Sequence, residues 1–307
     1  MSGSLNRSAA LASIAVATML LGMKVWAAVS TSSTAMLGSV ADTALDLIAS
    51  LATLAGVWVA AQPDDRHHRF GHGKAEALSA MFQVVLISLS ALMLAFRAVE
   101  QMIVGARPAA AEEGIAVSVI AMGATLILLA WQRHVIRKTG SLAISTDHVH
   151  YKSDLLLNLA VIAALALDQY AGFAGADALF GLGIAAWLGW SAWGASQHAI
   201  TQLMDREWPQ EKKDRFLNEL RAIPDLRGVH DFRTRTSGNR DFVQFHVWVD
   251  GEMSVAGAHD VMDRIEARLK KRFPDVEMLI HPDPVGHVDK GLAAEAVLTP
   301  EETAANG

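Results

Sequence analysis

The chain has 307 residues, of which 52% are hydrophobic and 19% are charged, and its mean hydropathy is +0.27. Soluble domains carry about 25% charged residues, so the composition predicts a membrane protein. The net charge is −6, no basic tract suits nucleic acid, and cysteine is absent. The sequence therefore excludes disulfides and thiolate metal ligands, and any metal site must use His and carboxylate side chains.

Six apolar segments follow one another in chain order, each near or above the roughly 20 residues that cross a bilayer. They comprise residues 9–30, 33–61, 77–104, 112–132, 142–168 and 177–203. The basic residues Arg66, Arg69, Lys74, Arg133, Arg137 and Lys138 all lie in the connections after the second and fourth segments. By the positive-inside rule, we expect six transmembrane helices with both termini in the cytoplasm.

From residue 208 the composition becomes that of a soluble domain. The predicted elements are a helix at 211–223, strands at 228–235 and 241–249, a helix at 254–272 and a strand at 276–281. This αββαβ order predicts a small α+β domain with its helices on one side of a short sheet. Apolar and polar residues alternate along the second strand, which places His246 on the face opposite the core.

The composition therefore divides the chain into three parts. Residues 1–207 form a transmembrane domain, residues 208–290 form an α+β domain, and residues 291–307 are expected to be a disordered Ala/Glu-rich tail.

Two pairs of ionisable residues interrupt the apolar segments. Asp42 and Asp46 lie in the second segment, and His150 and Asp154 begin the fifth. A spacing of four places each pair on one face of a helix, one turn apart. Ionisable groups are costly inside a membrane, so these pairs predict a functional site. Carboxylate oxygens with an imidazole nitrogen suit tetrahedral Zn²⁺, and also Cd²⁺ and neighbouring divalent ions. A buried hydrogen-bonded or proton-sharing cluster is the alternative interpretation.

Further groups of possible metal ligands lie outside the apolar segments. Asp65, His68 and His72 follow the second segment, and His68 and His72 would share one face if this stretch were helical. A solvated polar turn is an equally good interpretation of this stretch. In the α+β domain, the possible ligands are His230, His246, His259, His281 and Asp283. Any one of these His residues alone is typical of a surface or core histidine.

Taken together, these motifs resemble the cation diffusion facilitator family over about residues 8–286. The resemblance is carried by the two intramembrane pairs, the loop at 65–76, the run His-Tyr-Lys-Ser-Asp at 150–154 and the αββαβ domain. It is strongest for the bacterial zinc/cadmium–proton antiporters and implies a bacterial inner-membrane location. The resemblance implies a transport site at Asp42, Asp46, His150 and Asp154. Asp42 argues against two other groups of the family, because the manganese branch would have Asn at this position and many eukaryotic zinc carriers would have His.

The resemblance also implies a metallochaperone-like fold for the αββαβ domain, and metal sites outside the membrane. A second zinc site would use Asp65, His68 and His72. In the α+β domain, Asp283 would bridge two zinc ions, one bound by His230 and His246 and the other by His259 and His281. These ions would tie two subunits into a homodimer, and Lys74 and Asp205 would form a charge pair linking the protomers at a hinge.

The implied function is secondary antiport by alternating access, in which divalent cations leave the cytoplasm in exchange for protons. Zn²⁺ is the expected substrate, with Cd²⁺, Fe²⁺ and Co²⁺ as further candidates. Metal ligands release protons when they bind, and His150 is the best-placed group for this exchange because the ordinary pKa of histidine is about 6.5. The carboxylates of Asp42, Asp46 and Asp154 are the other proton-coupling candidates.

Two alternative functions belong to other classes. The first is a non-transporting membrane metal sensor that signals through its cytoplasmic domain. The second, an intramembrane metalloenzyme, is less favoured because the sequence has no His-Glu-x-x-His motif. Four protein ligands would also leave no open position for an activated water, so we do not expect an enzyme.

Overall fold

The computed structural model describes residues 2–31, 34–104, 115–171, 175–223, 226–238 and 240–287. The chain divides into two units, Met1–Leu203 and Met204–Gly307. The predicted tail, residues 291–307, lies outside the described residues.

The first unit is a bundle of six long helices, one for each apolar segment. They are α1 (Ser2–Thr31), α2 (Thr34–Ala60), α3 (Ala75–Val104), α4 (Ile115–Thr139), α5 (Leu142–Ala171) and α6 (Ala176–Leu203). Where the structure describes side chains, four stretches are long and apolar enough to cross a membrane: Gly3–Ser30, Asp42–Ala60, Ala75–Ile103 and Ala178–Leu203. Helices α4 and α5 pack against these helices. The predicted helical transmembrane domain is confirmed.

Helix α4 is longer than predicted. The sequence predicts a connection that begins at residue 132, whereas the helix continues to Thr139. Arg137 and Lys138 lie in its last turn, where positive charge interacts favourably with the helix dipole. Gly140 then adopts a φ of +65°, a conformation that commonly ends helices. The charged residues that suggested a loop therefore belong to the end of a helix.

Helices α2 and α3 approach closely at Gly56. The Ser79 hydroxyl donates a hydrogen bond to the Ala52 carbonyl at 2.9 Å, and a Cβ added to Gly56 would lie 2.4 Å from the Ser79 Cβ. Only glycine permits this contact without displacement of a helix. The contact matters for the candidate site because α2 also carries Asp42 and Asp46.

The second unit has the predicted αββαβ order. Its elements are α7 (Gln210–Arg221), β1 (Val229–Ser237), β2 (Arg240–Val249), α8 (Val255–Arg272) and β3 (Val276–Pro284). The central strand β2 is antiparallel to β1 and parallel to β3. The Ser254 side chain begins α8 as predicted, by accepting a hydrogen bond from the Gly257 amide at 3.1 Å.

The core of this unit forms around Phe216 of α7, which is fully buried. Aromatic rings at Trp208, Phe232, Phe245 and Phe273 surround it at centroid distances of 5.0 to 6.1 Å. Val243, Phe245 and Val247 of β2 face this core with no exposed surface. The alternating strand pattern therefore places His246 on the opposite face of the sheet.

The strand register aligns three histidines on the sheet. His230 of β1 pairs with His246 of β2, and His246 pairs with His281 of β3. Asp283 follows two residues after His281, so both lie on one face of β3. Residues separated by more than fifty positions in sequence are thus brought together by the sheet.

We predict that Gly56→Ala destabilises the first unit by about 1–3 kcal/mol, because the new methyl group must displace α3. The measurement is the unfolding midpoint of the purified protein in detergent. Gly123→Ala on α4 is the matched control, since nothing lies within 4 Å of an added Cβ there. Equal unfolding midpoints for the two variants would show that α2 and α3 do not depend on this contact.

Candidate metal sites

Helices α2 and α5 bring three predicted ligands together inside the bundle. The carboxylates of Asp46 and Asp154 and the His150 ring each offer a ligand atom, and all three atoms lie within 4.8 Å of one another. The His150 Nε2 atom is 3.0 Å from the Asp46 Oδ1 atom, and His150 is buried. We call these three residues the membrane cluster. They supply one nitrogen and two oxygen donors, a set that suits a first-row divalent cation.

The fourth predicted ligand, Asp42, lies one helical turn before Asp46. Its side chain is exposed, and the group of three closely spaced ligand atoms does not include it. Thr43, which follows Asp42 in α2, accepts a hydrogen bond from Lys24 of α1 at 2.6 Å. Asp42 therefore has the helical position expected of a ligand, and its assignment stays a prediction.

A second carboxylate on α5, Asp147, is fully buried one turn before His150. It accepts hydrogen bonds from four other helices, which together we call the Asp147 network. The donors are Ser13 of α1 at 2.6 Å, Thr53 of α2 at 3.4 Å, Gln83 of α3 at 3.2 Å and Gln132 of α4 at 2.8 Å. All four donors are uncharged. One carboxylate on α5 is thus bonded to α1, α2, α3 and α4.

The sequence indicates only part of this network. Asp147 precedes His150 by three residues, so helical spacing places it near the face of the predicted site. Its partners Ser13, Gln83 and Gln132 lie in three other helices, and no short motif connects them. A polar side chain with high hydrogen-bonding capacity inside an apolar segment, such as Gln83, is the one sequence signal that points to the network.

The loop after α2 brings together Asp65, His68 and His72, which we call the loop cluster. Their ligand atoms lie within 4.8 Å of one another. The segment is not helical, so the condition for a shared helix face is not met. Instead, Asp65 Oδ1 accepts the backbone amides of His67 and His68 at 2.8 and 2.7 Å, and Gly71 turns the chain at a φ of +78°. The two amide hydrogen bonds lower the pKa of Asp65, which keeps its carboxylate ionised.

In the second unit, Asp283 lies among three histidines that we call, with it, the sheet cluster. The Asp283 Oδ2 atom is 3.0 Å from His230 Nε2 and 2.8 Å from His246 Nδ1, and its Oδ1 atom is 3.3 Å from His281 Nε2. His230 and Asp283 are buried, and the His230 ring stacks on Trp248 at a centroid distance of 4.9 Å. A carboxylate with several converging imidazoles is a donor set that fits zinc.

The remaining predicted residues have different surroundings. His259 lies on α8 with an exposed side chain 4.0 Å from the Asp263 carboxylate, and the three closely spaced residues of the sheet do not include it. Lys74 donates to the Leu203 carbonyl at 3.2 Å, and Asp205 lies 3.6 Å from Arg235. Lys74 and Asp205 belong to different units, and their pairing stays a prediction.

The protonation states of the sheet cluster favour metal binding. Burial lowers the pKa of His230, although its hydrogen bond to Asp283 opposes this shift. Burial also raises the pKa of Asp283, but hydrogen bonds and charges from the three histidines outweigh it and lower the pKa overall. Near neutral pH, His230 is therefore neutral and Asp283 is ionised, as metal ligands must be.

We predict that Asp147→Leu destabilises the helix bundle by about 3 kcal/mol or more, since each buried donor left without an acceptor costs about 1–3 kcal/mol. Asp147→Asn keeps one acceptor oxygen and should have a smaller effect. Unfolding in detergent provides the measurement. The control is Asn158→Leu on the same helix, where the side chain is exposed and bonds only the Asp154 carbonyl among the hydrogen bonds described. A D147L variant as stable as N158L would contradict the structural role of the network.

We predict that acid weakens the metal-free second unit in two steps. His230 has a lowered pKa in the fold, so its contribution to stability is lost as pH falls below its ordinary pKa of 6.5. Asp283 also has a lowered pKa, so its contribution is lost as pH falls below 3.8 and through the folded value.

Hydrogen exchange of β2 and β3 in the full chain with a chelator, corrected for intrinsic exchange rates, measures this effect. Amides of α3 in the other unit are the internal reference. Protection of the strands that stays constant between pH 7.5 and 5 would contradict the prediction for His230.

Comparison with known proteins agrees with the division into two units. Residues 10–204 match the sequence model of the cation efflux transmembrane domain, and residues 208–285 match that of the cation efflux protein cytoplasmic domain. The chain is 40% identical to the cation-efflux pump FieF of Cronobacter sakazakii over 288 residues, covering 94% of this chain and 96% of the relative. It is also 40% identical to FieF of Serratia proteamaculans over 287 residues, covering 94% and 95%.

A solved structure of the metal-bound C-terminal domain of the CzcD transporter from Thermotoga maritima also matches. The identity is 30%, the match covers 27% of this chain and all of that domain, and the TM-score is 0.25. The two relatives that match 94% of this chain are both cation-efflux pumps. On the matches to both domains and to these relatives, the chain belongs to the cation efflux family, an integral membrane family of metal cation exporters.

Proposed function

We propose that this protein exports Zn²⁺ from the cytoplasm in exchange for protons, by alternating access of the membrane cluster to the two sides of the membrane. The observation that carries the proposal is the convergence of Asp46, His150 and Asp154 within 4.8 Å inside a helical bundle. Ionisable groups in this setting mark an ion pathway in membrane proteins. Metal cation export is the shared activity of the family, whereas the choice of metal and the coupling ion are proposed for this chain.

The donor chemistry supports Zn²⁺ as the main substrate. Imidazole nitrogen and carboxylate oxygen together suit zinc, and Asp42 is placed one turn from Asp46 to complete four ligands. No described residue supplies a thiolate, because the chain has no cysteine. The same nitrogen and oxygen donors accept Cd²⁺, Fe²⁺ and Co²⁺, so we propose these ions as further substrates.

Proton coupling follows from the contact between His150 and Asp46. His150 Nε2 and Asp46 Oδ1 lie 3.0 Å apart, and a hydrogen bond between these two atoms holds one proton. A metal that binds through this nitrogen needs the lone pair, and binding therefore releases the proton. Protons supplied from the other side of the membrane would then expel the metal. Asp42, Asp46 and Asp154 supply the negative charge that binds the cation.

Outside the membrane, we propose that zinc is also a resident ion. The sheet cluster would hold it through His230, His246, His281 and Asp283, with His259 completing a binuclear site in a homodimer. An ion bound there would cross-link the two subunits, and it would stabilise the folded domain by binding only the native state. The loop cluster offers a further site, and Lys74 with Asp205 would pair at the hinge between membrane and soluble parts. We also propose a bacterial inner-membrane location with both termini cytoplasmic, because basic residues are concentrated between α2 and α3 and between α4 and α5, and such residues favour the cytoplasmic side.

The test is Zn²⁺ flux into proteoliposomes under an imposed pH gradient, followed with an encapsulated zinc-sensitive dye. We expect Asp46→Ala and His150→Ala to reduce flux to that of protein-free vesicles, because each removes a ligand. His134→Ala is the matched control, since it removes an exposed histidine of α4 and should transport as the wild type does.

Three results would contradict parts of the proposal. Transport by D46A or H150A at the wild-type rate would rule out the membrane cluster as the transport site. Flux that does not respond to the pH gradient would rule out proton antiport and leave export by another coupling. A wild-type protein that binds Zn²⁺ but carries no flux would favour a membrane metal sensor.

A further inference from the structure

Strand β1 of the second unit contains a strained residue beside the sheet cluster. Asp231 follows His230 and adopts a φ of +48°, a left-handed conformation that is uncommon outside glycine. The register of β1 against β2 shifts between His230 and Arg233, which marks a β-bulge at this point. Bulges re-aim side chains near functional sites. In a regular strand His230 and Asp231 would point to opposite faces of the sheet, whereas here both approach His246.

His246 lies between two carboxylates as a result. Its Nδ1 atom is 2.8 Å from Asp283 Oδ2, and its Nε2 atom is 3.5 Å from Asp231 Oδ2. A neutral imidazole has one N–H group and one lone pair, and the partner of one nitrogen decides which nitrogen can bind a metal. Asp283 Oδ2 is also 3.0 Å from His230 Nε2, so a metal shared by these residues takes the Nδ1 lone pair of His246. The Nε2–H group then faces Asp231.

We propose that Asp231 is a positioning residue for the sheet cluster, whose carboxylate accepts the Nε2–H of His246 and so directs the Nδ1 lone pair to the metal. The inference rests on the proposed zinc site in this domain. Metal-binding histidines commonly donate their second N–H to a carboxylate, which fixes the tautomer and the ring orientation. Arg233 Nε donates to the other carboxylate oxygen of Asp231 at 2.9 Å, which leaves Oδ2 facing His246.

The simpler interpretation is an ion pair between Asp231 and Arg233 with no role in metal binding. The Arg233 side chain is 52% exposed, and exposed ion pairs contribute little to stability. Such a pair can form from ordinary strand conformations and does not require a left-handed aspartate. A role of Asp231 in positioning His246 explains both the bulge and the approach of Asp231 to His246, whereas the ion pair with Arg233 explains neither.

The test measures the Zn²⁺ affinity of the full-length protein in detergent, by competition with a chelator. Asp46→Ala and Asp65→Ala are introduced together as the background, so that the sheet cluster dominates binding. Removal of a carboxylate that orients a ligand typically costs 10-fold to 100-fold in metal affinity. We expect a loss of about this size for Asp231→Ala. Asp231→Gly should lose as much although it relieves the backbone strain, and Asp231→Asn should recover part of the affinity because its oxygen still accepts the N–H.

Arg233→Gln is the matched control, which removes the ion pair and leaves the carboxylate, and it should bind within about 3-fold of the background. Nitrogen chemical shifts of His246 in the zinc-bound protein supply a second readout. We expect the Nε2–H tautomer in the background and its loss in D231A. Unchanged affinity in D231A, an equal loss in R233Q, or a background protein that binds no zinc would overturn the inference. Zinc flux of the otherwise wild-type protein is measured separately, so failure of transport is distinguished from failure at Asp231.

Discussion

The arrangement of the helix bundle depends on the burial of one carboxylate, that of Asp147. A carboxylate removed from water is tolerated only where donors replace the water, and here they come from four other helices. Because Asp147 is bonded to α1, α2, α3 and α4, α5 cannot rotate without breaking several of these hydrogen bonds. His150 follows one turn later and Asp154 two turns later, so the network also determines where these side chains face.

The membrane cluster has the opposite balance of donors and acceptors. In the Asp147 network, neutral donors satisfy one carboxylate, whereas the membrane cluster brings two carboxyl groups, Asp46 and Asp154, and one imidazole within 4.8 Å of one another. Carboxyl groups and an imidazole that lie this close can take up either protons or a divalent cation. Two carboxyl groups on one helix thus have different surroundings, since donors from four other helices bond Asp147 and Asp154 belongs to the candidate metal site.

The sequence predicts those features that depend on local spacing. Helical periodicity places His150 and Asp154 on one face of α5, and strand alternation places His246 opposite the core, because both patterns depend on neighbours a few residues apart. That Asp46 meets His150 and Asp154 is implied by the family resemblance and not by spacing. The partners of Asp147 could not be predicted in this way, since Ser13, Gln83 and Gln132 meet only in the folded bundle. The ligands of the loop cluster are brought together by a loop in which Asp65 accepts backbone amides, and not by a helix. No pattern in the sequence predicts the bulge at Asp231. Such features depend on tertiary contacts and on backbone conformations that composition does not encode.

The central claim is that a transported divalent cation binds between Asp46, His150 and Asp154. The most direct test is a structure of the zinc-loaded protein with anomalous scattering measured at the zinc absorption edge. We expect an anomalous peak about 2.0–2.2 Å from the His150 ring nitrogen and from carboxylate oxygens of Asp46 and Asp154. Zinc peaks at the loop and sheet clusters with none between α2 and α5 would contradict it.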